Sequence, residues 1–351
     1  MTDTFPVLRL SGTAEERGAA HGASLSESIA ASVCLYDAIL RVPGREIRSL
    51  GRAVREQIYR FYPPYCTEID ALADAAGQRP EWIYVLNARS EVVNGCVQSE
   101  IPLMECSTVS FRDQGLLGQN WDTGKALLDL VVLMHITLAN GRRLLMITEP
   151  GVVGKTGLNN CGLGICLNLL HLKHRLQGVP LAVLARAVLE SESIDQAREL
   201  VVTTPGTRAA CITVSQGVNQ GFCIEFSGDK HWFLSSPGRI SIHTNHYLGR
   251  RLTPDSGLFQ GSYGRLRTLA ALTSILPRRD ISSLQRLLSS RAHSGWPVHI
   301  PWSVSPLPGV GEAGTLATMV MDLSSCVMHI RKGNDPQARF FSYSVELGEC
   351  L

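Results

Sequence analysis

No stretch of this 351-residue chain reaches the ~18 consecutive apolar residues that a membrane-spanning helix requires. Charge of one sign is equally scarce: 33 lysines and arginines face 31 aspartates and glutamates, a net charge of +2, without the basic excess that marks a nucleic-acid binder. The pairs Arg250-Arg251 and Arg278-Arg279 read as solvated faces. The opening run Met1-Thr2-Asp3-Thr4-Phe5-Pro6 has no basic region followed by an apolar one. The expectation is a soluble, cytoplasmic protein with neither membrane nor nucleic acid among its partners. Its ten cysteines (34, 66, 96, 106, 161, 166, 211, 223, 326 and 350) show no pairing or zinc-ligand rhythm and are expected reduced and mostly buried. Cys350 is not placed as a prenylation box. A metal hydrolase built on His21, His171, His243 and His246 is disfavoured, because no spacing such as His-Glu-x-x-His is present, and no metal is expected. There is no internal repeat, low-complexity tract or clear linker. With 44% apolar and 18% charged residues, one large domain is expected.

What is present falls into two regimes. The first hundred residues carry helical periodicity: a short strand at Val7 to Leu10, a capping box of Thr13 with Glu16, and one helix through about Leu40. Glycines at 18 and 22 inside it imply close packing against another backbone, and His21 beside them reads as a structural histidine. Further helices are predicted from about Glu46 to Tyr62, stopped by Pro63-Pro64, from Thr67 to Ala76, and from Pro80. Residues 92 to 105 have no period and read as a loop. From there the pattern changes to period two. Strands are predicted near 130–138, 144–148, 162–169, 210–215, 222–226, 240–243, 315–322, 327–331 and 340–343. Between them lie one helix from Pro180 to about Val202, another from Tyr263 to Leu276 and a third over 281–288.

The stretch that organises the rest is Glu105-Cys106-Ser107-Thr108-Val109-Ser110-Phe111, followed by Gly118-Gln119-Asn120-Trp121-Asp122. It reads as two antiparallel strands joined by a hairpin, with Cys106 opening the first. A cysteine attacks as its thiolate and needs a base, and nothing local supplies one. Cleavage between Glu105 and Cys106 would create it, since a free α-amine titrates near ~8. From the residues alone, Cys106 as a small core hydrophobe stands as the alternative.

Cys106-Ser107-Thr108, the Gly118 to Asp122 run, Glu149-Pro150-Gly151-Val152-Val153-Gly154-Lys155 and His243-Thr244-Asn245-His246 follow one another in an order that resembles the acyl-coenzyme A:isopenicillin N (6-aminopenicillanic acid) acyltransferase family of self-processing N-terminal nucleophile (Ntn) enzymes. The likeness spans about residues 12 to 322. It implies an α+β fold, the four-layer αββα Ntn sandwich with an N-terminal helical segment. Residues 1–105 would become one fragment and 106–351 the other, held together as a heterodimer. It also implies catalysis by Cys106, with Asp122 orienting its amine or thiol and Asn245 donating to the oxyanion. Thr108 matches a hydroxyl that assists cleavage or packs in the strand. Arg89 lies in a run like the family's Asn-x-Arg-Thr-Glu, and either anchors a helix end by ion pairing or faces the scissile bond. His243 and His246 are expected to serve structure or substrate contact. Two departures stand out: Glu105 replaces the glycine before the cysteine, and Glu312-Ala313-Gly314 lacks the Ser-Arg that precedes that glycine in the family. The implied activity is hydrolysis or formation of an N-acyl amide. The expected substrate is a small N-acyl amide, a peptide-like amide or an acyl thioester, with no cofactor and with coenzyme A thioester as a possible acyl donor. The alternative is an uncut, non-catalytic Ntn shell that binds a ligand or acts as a scaffold.

Overall fold

A computed structural model of the chain describes residues 3–96, 105–172, 177–249, 260–291, 296–305 and 310–351. Strand β1 (Val7–Ser11) leads into α1 (Ala14–Ser24), whose Thr13/Glu16 capping box forms as the sequence indicates. The single helix expected through Leu40 is two, α1 and α2 (Ser26–Leu40), bent by 80° at Leu25. The bend lets α1 lie on α4 (Pro63–Ala75) after α3 (Gly44–Phe61). Gly18 is what permits that approach: a Cβ there would sit 2.1 Å from the Glu68 carbonyl oxygen. Pro63-Pro64 does not simply stop a helix. It opens α4, where a missing N–H costs nothing. Then come α5 (Pro80–Asn87) and α6 (Arg89–Cys96), so residues 92–96 are helical where a loop was expected. The remainder of that expected loop, 97–104, lies outside the described residues.

The hairpin carrying Cys106 is formed as predicted by β2 (Glu105–Phe111) and β3 (Leu116–Gly124), with Cys106 opposite Trp121 and Glu105 opposite Asp122. After it come β4 (Val132–Thr137), β5 (Arg143–Thr148), β6 (Gly157–Asn159), β7 (Leu163–Leu169), α7 (Leu181–Glu190), α8 (Ile194–Thr203), β8 (Arg208–Gln216), β9 (Gln220–Gly228), β10 (Lys230–Phe233) and β11 (Ile240–His243). The chain closes with α9 (Gln260–Ser274), α10 (Ile281–Leu288), β12 (Ser303–Val304), β13 (Glu312–Asp322), β14 (Val327–Lys332) and β15 (Phe341–Ser344). The helix expected from Pro180 to Val202 is broken between α7 and α8, where Ser193 caps the second piece by accepting the Gln196 N–H. Strands β6, β10 and β12 are too short to show a period.

The strands form two sheets. One has the order β1-β4-β5-β6-β7-β8-β9-β10, with β1 parallel to β4; the other runs β11-β2-β3-β13-β14-β15, with β12 on β13. Alternation along the strands then builds the layers. Met134, Ile136, Ile212 and Ile224 face α7 and α8; Leu133, Leu145 and Ile147 face the second sheet and meet Trp121, Met319 and Ile330; Val109, Phe111 and Val320 face α9 and α10. The result is the αββα sandwich expected, with α2 to α5 packed as a further cluster against α7.

Candidate active site

Period two decides where each group on β2 points. Cys106 is buried in the cluster between the sheets, whereas Glu105 and Ser107 face α9 on the other side of the strand. The Cys106 sulfur opens on a cavity of ≈ 40 Å³ lined by Arg89, Gln119, Trp121, Lys155, Leu167 and Met319. That is room for a few waters, not for a substrate. Burial, and next the charge of Asp122, push the Cys106 thiol up to about 12, so in the uncut chain it is a neutral thiol.

The backbone nitrogen of Cys106 is held separately. It donates to Asn245 Oδ1 at 2.8 Å, just past the end of β11. The same oxygen accepts from Arg265 Nη2 at 2.9 Å, and Asn245 Nδ2 donates to the Leu169 carbonyl at 2.9 Å. The structure therefore brings Asn245 to Cys106 as expected, but the atom it presents is an acceptor. Arg265, from α9, also donates to Ser107 Oγ at 3.2 Å and forms an ion pair with Glu105. Sequence reasoning missed Arg265, because a Gly-Arg-Leu-Arg run on a helix looks like any solvated face. Its guanidinium is buried, whereas Glu312 pairs with Lys125.

Asp122 lies beside Glu105 rather than on the sulfur face. Its Oδ1 accepts from Thr315 Oγ1 at 2.5 Å, and its buried Oδ2 has no partner among the described residues. Burial lifts this carboxyl to about 7, against the opposing pull of Arg265 and Thr315. Its charge still reaches the thiol, adding to burial in holding the Cys106 proton in place.

Arg89 is an anchor. It donates to Glu149 Oε1 at 2.6 Å, and Lys155 Nζ reaches the same oxygen at 2.9 Å while Tyr36 donates to Oε2 at 2.6 Å. Three donors hold Glu149 ionised, at about 2, although burial alone would raise it. Lys155 stands 3.1 Å from the Trp121 ring centre, and burial brings it down to about 8. Both Glu149 and Lys155 belong to the Glu-Pro-Gly-Val-Val-Gly-Lys run, so the signal was in the sequence while their meeting at the Cys106 cavity was not. Thr108 is tied into the sandwich by its bond to Asn168 Oδ1 at 2.8 Å. His243 pairs with Glu225 at 2.7 Å; His246 bonds Ser262 Oγ at 2.8 Å and stacks on Tyr263, its ring centre 3.8 Å away. Neither ring is spent on Cys106. His21 accepts the Gly151 N–H at 3.1 Å, and burial lowers it to about 4, the neutral structural histidine expected. Among the described residues no cluster of three metal-ligating side chains exists.

Comparison with known proteins bears on this arrangement. The sequence model of the family described as acyl-coenzyme A:6-aminopenicillanic acid acyl-transferase matches residues 110–336. The 40 kDa form of acyl-coenzyme A:6-aminopenicillanic-acid-acyltransferase from Emericella nidulans is 30% identical over 247 residues, which cover 68% of each chain. Among solved structures, an N-acylethanolamine-hydrolyzing acid amidase ortholog from Caenorhabditis elegans aligns at 17% identity over 62% of this chain and 93% of its own, with a TM-score of 0.44. A mutant conjugated bile acid hydrolase from Clostridium perfringens aligns at 12% identity over 71% of this chain and 96% of its own, with a TM-score of 0.48. On the family match and the curated relative, this chain belongs to the acyl-coenzyme A:6-aminopenicillanic acid acyltransferase family.

Proposed function

We propose that the chain cuts itself between Glu105 and Cys106 and then acts as an N-terminal-cysteine N-acyl amide hydrolase or acyltransferase. One observation carries the reading: the backbone nitrogen of the buried Cys106 already rests on a side-chain acceptor, Asn245 Oδ1 at 2.8 Å. In self-cleavage the Cys106 sulfur attacks the Glu105 carbonyl carbon, the peptide C–N bond breaks as the acyl group moves to sulfur, and the nitrogen takes up a proton. Water then cleaves the thioester, leaving a Glu105 carboxylate and a free Cys106 α-amine.

That amine supplies the base the buried thiol lacks. With an ordinary pKa near ~8 it takes the thiol proton as sulfur attacks a substrate carbonyl and returns it to the leaving amine or thiol. Asn245 Oδ1 orients the amine, and Arg265 holds Asn245. The acyl-enzyme is resolved by water or by a bound amine, and exclusion of water decides the partition. Substrates are small N-acyl or peptide-like amides and acyl thioesters, a coenzyme A thioester being a donor substrate and not a cofactor.

The fragments would remain a heterodimer. Arg89 and Tyr36 bond to Glu149, Asn87 bonds to Gly151 and Val153, and Arg186 bonds to Glu68, so buried polar contacts cross the cut. Intact mass under denaturing conditions tests the proposal. Two fragments meeting at residues 105 and 106 are expected, with acylation of the larger one by an acyl thioester; one uncut chain inert to acyl donors would instead support a non-catalytic shell.

A further inference from the structure

Away from Cys106, two other thiols lie in contact on neighbouring strands. Cys211 of β8 and Cys223 of β9 bring their sulfurs to 3.3 Å, with Thr213 Oγ1 at 3.4 Å from the Cys223 sulfur. In the strand register Cys211 faces Glu225 and Thr213 faces Cys223, so the cysteines are diagonal neighbours on one face. Cys223 also lines an open cleft of ≈ 750 Å³, with Leu234, Ile242 and Leu248 among its walls. Peroxide, hardly larger than water, can enter such a cleft.

We propose that Cys211 and Cys223 form a dithiol site that a hydroperoxide oxidises to a disulfide, and that this bond is felt at Cys106 through Glu225 and the segment carrying Asn245. The Cys223 thiolate attacks one peroxide oxygen, the O–O bond breaks, and hydroxide or alkoxide leaves, giving a sulfenic acid. Cys211 then attacks that sulfur; the S–S bond forms and water leaves. Two thiols are oxidised and one peroxide is reduced. The environment favours Cys223 as the attacking sulfur. The hydrogen bond from Cys211 and the charge on His243 hold its thiol below the usual range against burial, while burial holds Cys211 above it.

The connection to the active site is short. Glu225 holds His243 Nε2 at 2.7 Å and also accepts the backbone N–H groups of Leu248 and Gly249 at 2.7 and 2.9 Å. Asn245, the acceptor for Cys106, lies between those anchor points. Shortening the sulfur separation from 3.3 Å to the ~2.05 Å of a disulfide moves the backbones of β8 and β9 toward each other at the residues flanking Glu225.

Both cysteines fall in one tryptic peptide, 209–230, which makes the test direct. Reduced protein is treated with hydrogen peroxide, alkylated with iodoacetamide and digested. The expected result is that this peptide loses two hydrogens and takes up no label before the exposed Cys34 is oxidised. In Cys211→Ser the sulfenic acid on Cys223 is expected to persist and react with dimedone. Two alkylated cysteines in the peptide, under peroxide that oxidises Cys34, would overturn the site without touching the proposed self-cleavage. The coupling is read from labelling of Cys106 by methyl methanethiosulfonate in oxidised and reduced protein. A rate change of about fivefold or more is expected, the low end of measured couplings between sites, and equal rates would overturn the link to the active site.

Discussion

Asn245 presents its side-chain oxygen, not its amide hydrogens, to the backbone nitrogen of Cys106, 2.8 Å away. In an uncut chain this bond fixes the second residue of β2. In a cut one the same oxygen would hold the α-amine. Asn245→Asp keeps the acceptor and loses the donor, so cleavage is expected to survive within about tenfold. Asn245→Ala removes the acceptor that positions the Cys106 nitrogen and is expected to lose about 10²-fold in cleavage and turnover, the order that misplacing a reacting group costs. Equal losses in the two variants, read from timed denaturing gels and acyl-thioester assays, would return the weight to the donating amide.

The nucleophile has the simplest test. Cys106→Ala is expected to leave the chain whole and unreactive toward acyl thioesters, with its melting temperature lowered only slightly. Cleavage that persists in that variant, seen by intact mass, would remove Cys106 from the mechanism.

Arg265 serves three partners, Glu105, Ser107 and Asn245, from a buried position. Arg265→Met strands the partly buried Glu105 carboxylate and frees Asn245. Removing one partner of a buried pair typically costs about 3–5 kcal/mol. Here a loss near the lower end is expected in urea unfolding, together with slower cleavage. Lysine cannot reproduce the fork, so Arg265→Lys is expected to recover stability better than cleavage rate.

Burial raises Asp122 from 3.8 to about 7, and the sign of its effect on stability follows. Between those values the folded chain binds a proton that the unfolded chain has released. Its contribution is therefore full at low pH and is lost as pH rises through 7. Asp122→Asn carries no charge to bury, so it is expected to melt above the parent protein at pH 8, by an amount that shrinks toward pH 4. A melting difference independent of pH would show that Asp122 is not the titrating group.

Glu149 joins the N-terminal helices to the first sheet through Tyr36, Arg89 and Lys155. Glu149→Gln keeps the shape and removes the charge that two buried cations share. A destabilisation of about 3–5 kcal/mol is expected by denaturant titration, more than for a surface pair such as Arg55–Asp70.

The sequence by itself determined a good deal. Period-two alternation around Cys106 marked the hairpin, and Thr13 with Glu16 marked the first helix start. The order of four motifs gave the family and, with it, the layer order. Local patterns encode these features because alternation and capping depend on residues within a few positions of one another. Tertiary structure decided the remainder. The two helices read too long break where packing against α4, or a serine cap, outweighs a continuous apolar stripe. Arg265 meets Glu105 across 160 positions, and Asn245 meets Cys106 across 139, with its amide turned so that the oxygen faces the nitrogen. Such pairings depend on how β11 and α9 dock against β2. That docking is set by the summed burial of many apolar side chains, which no window of neighbouring residues contains.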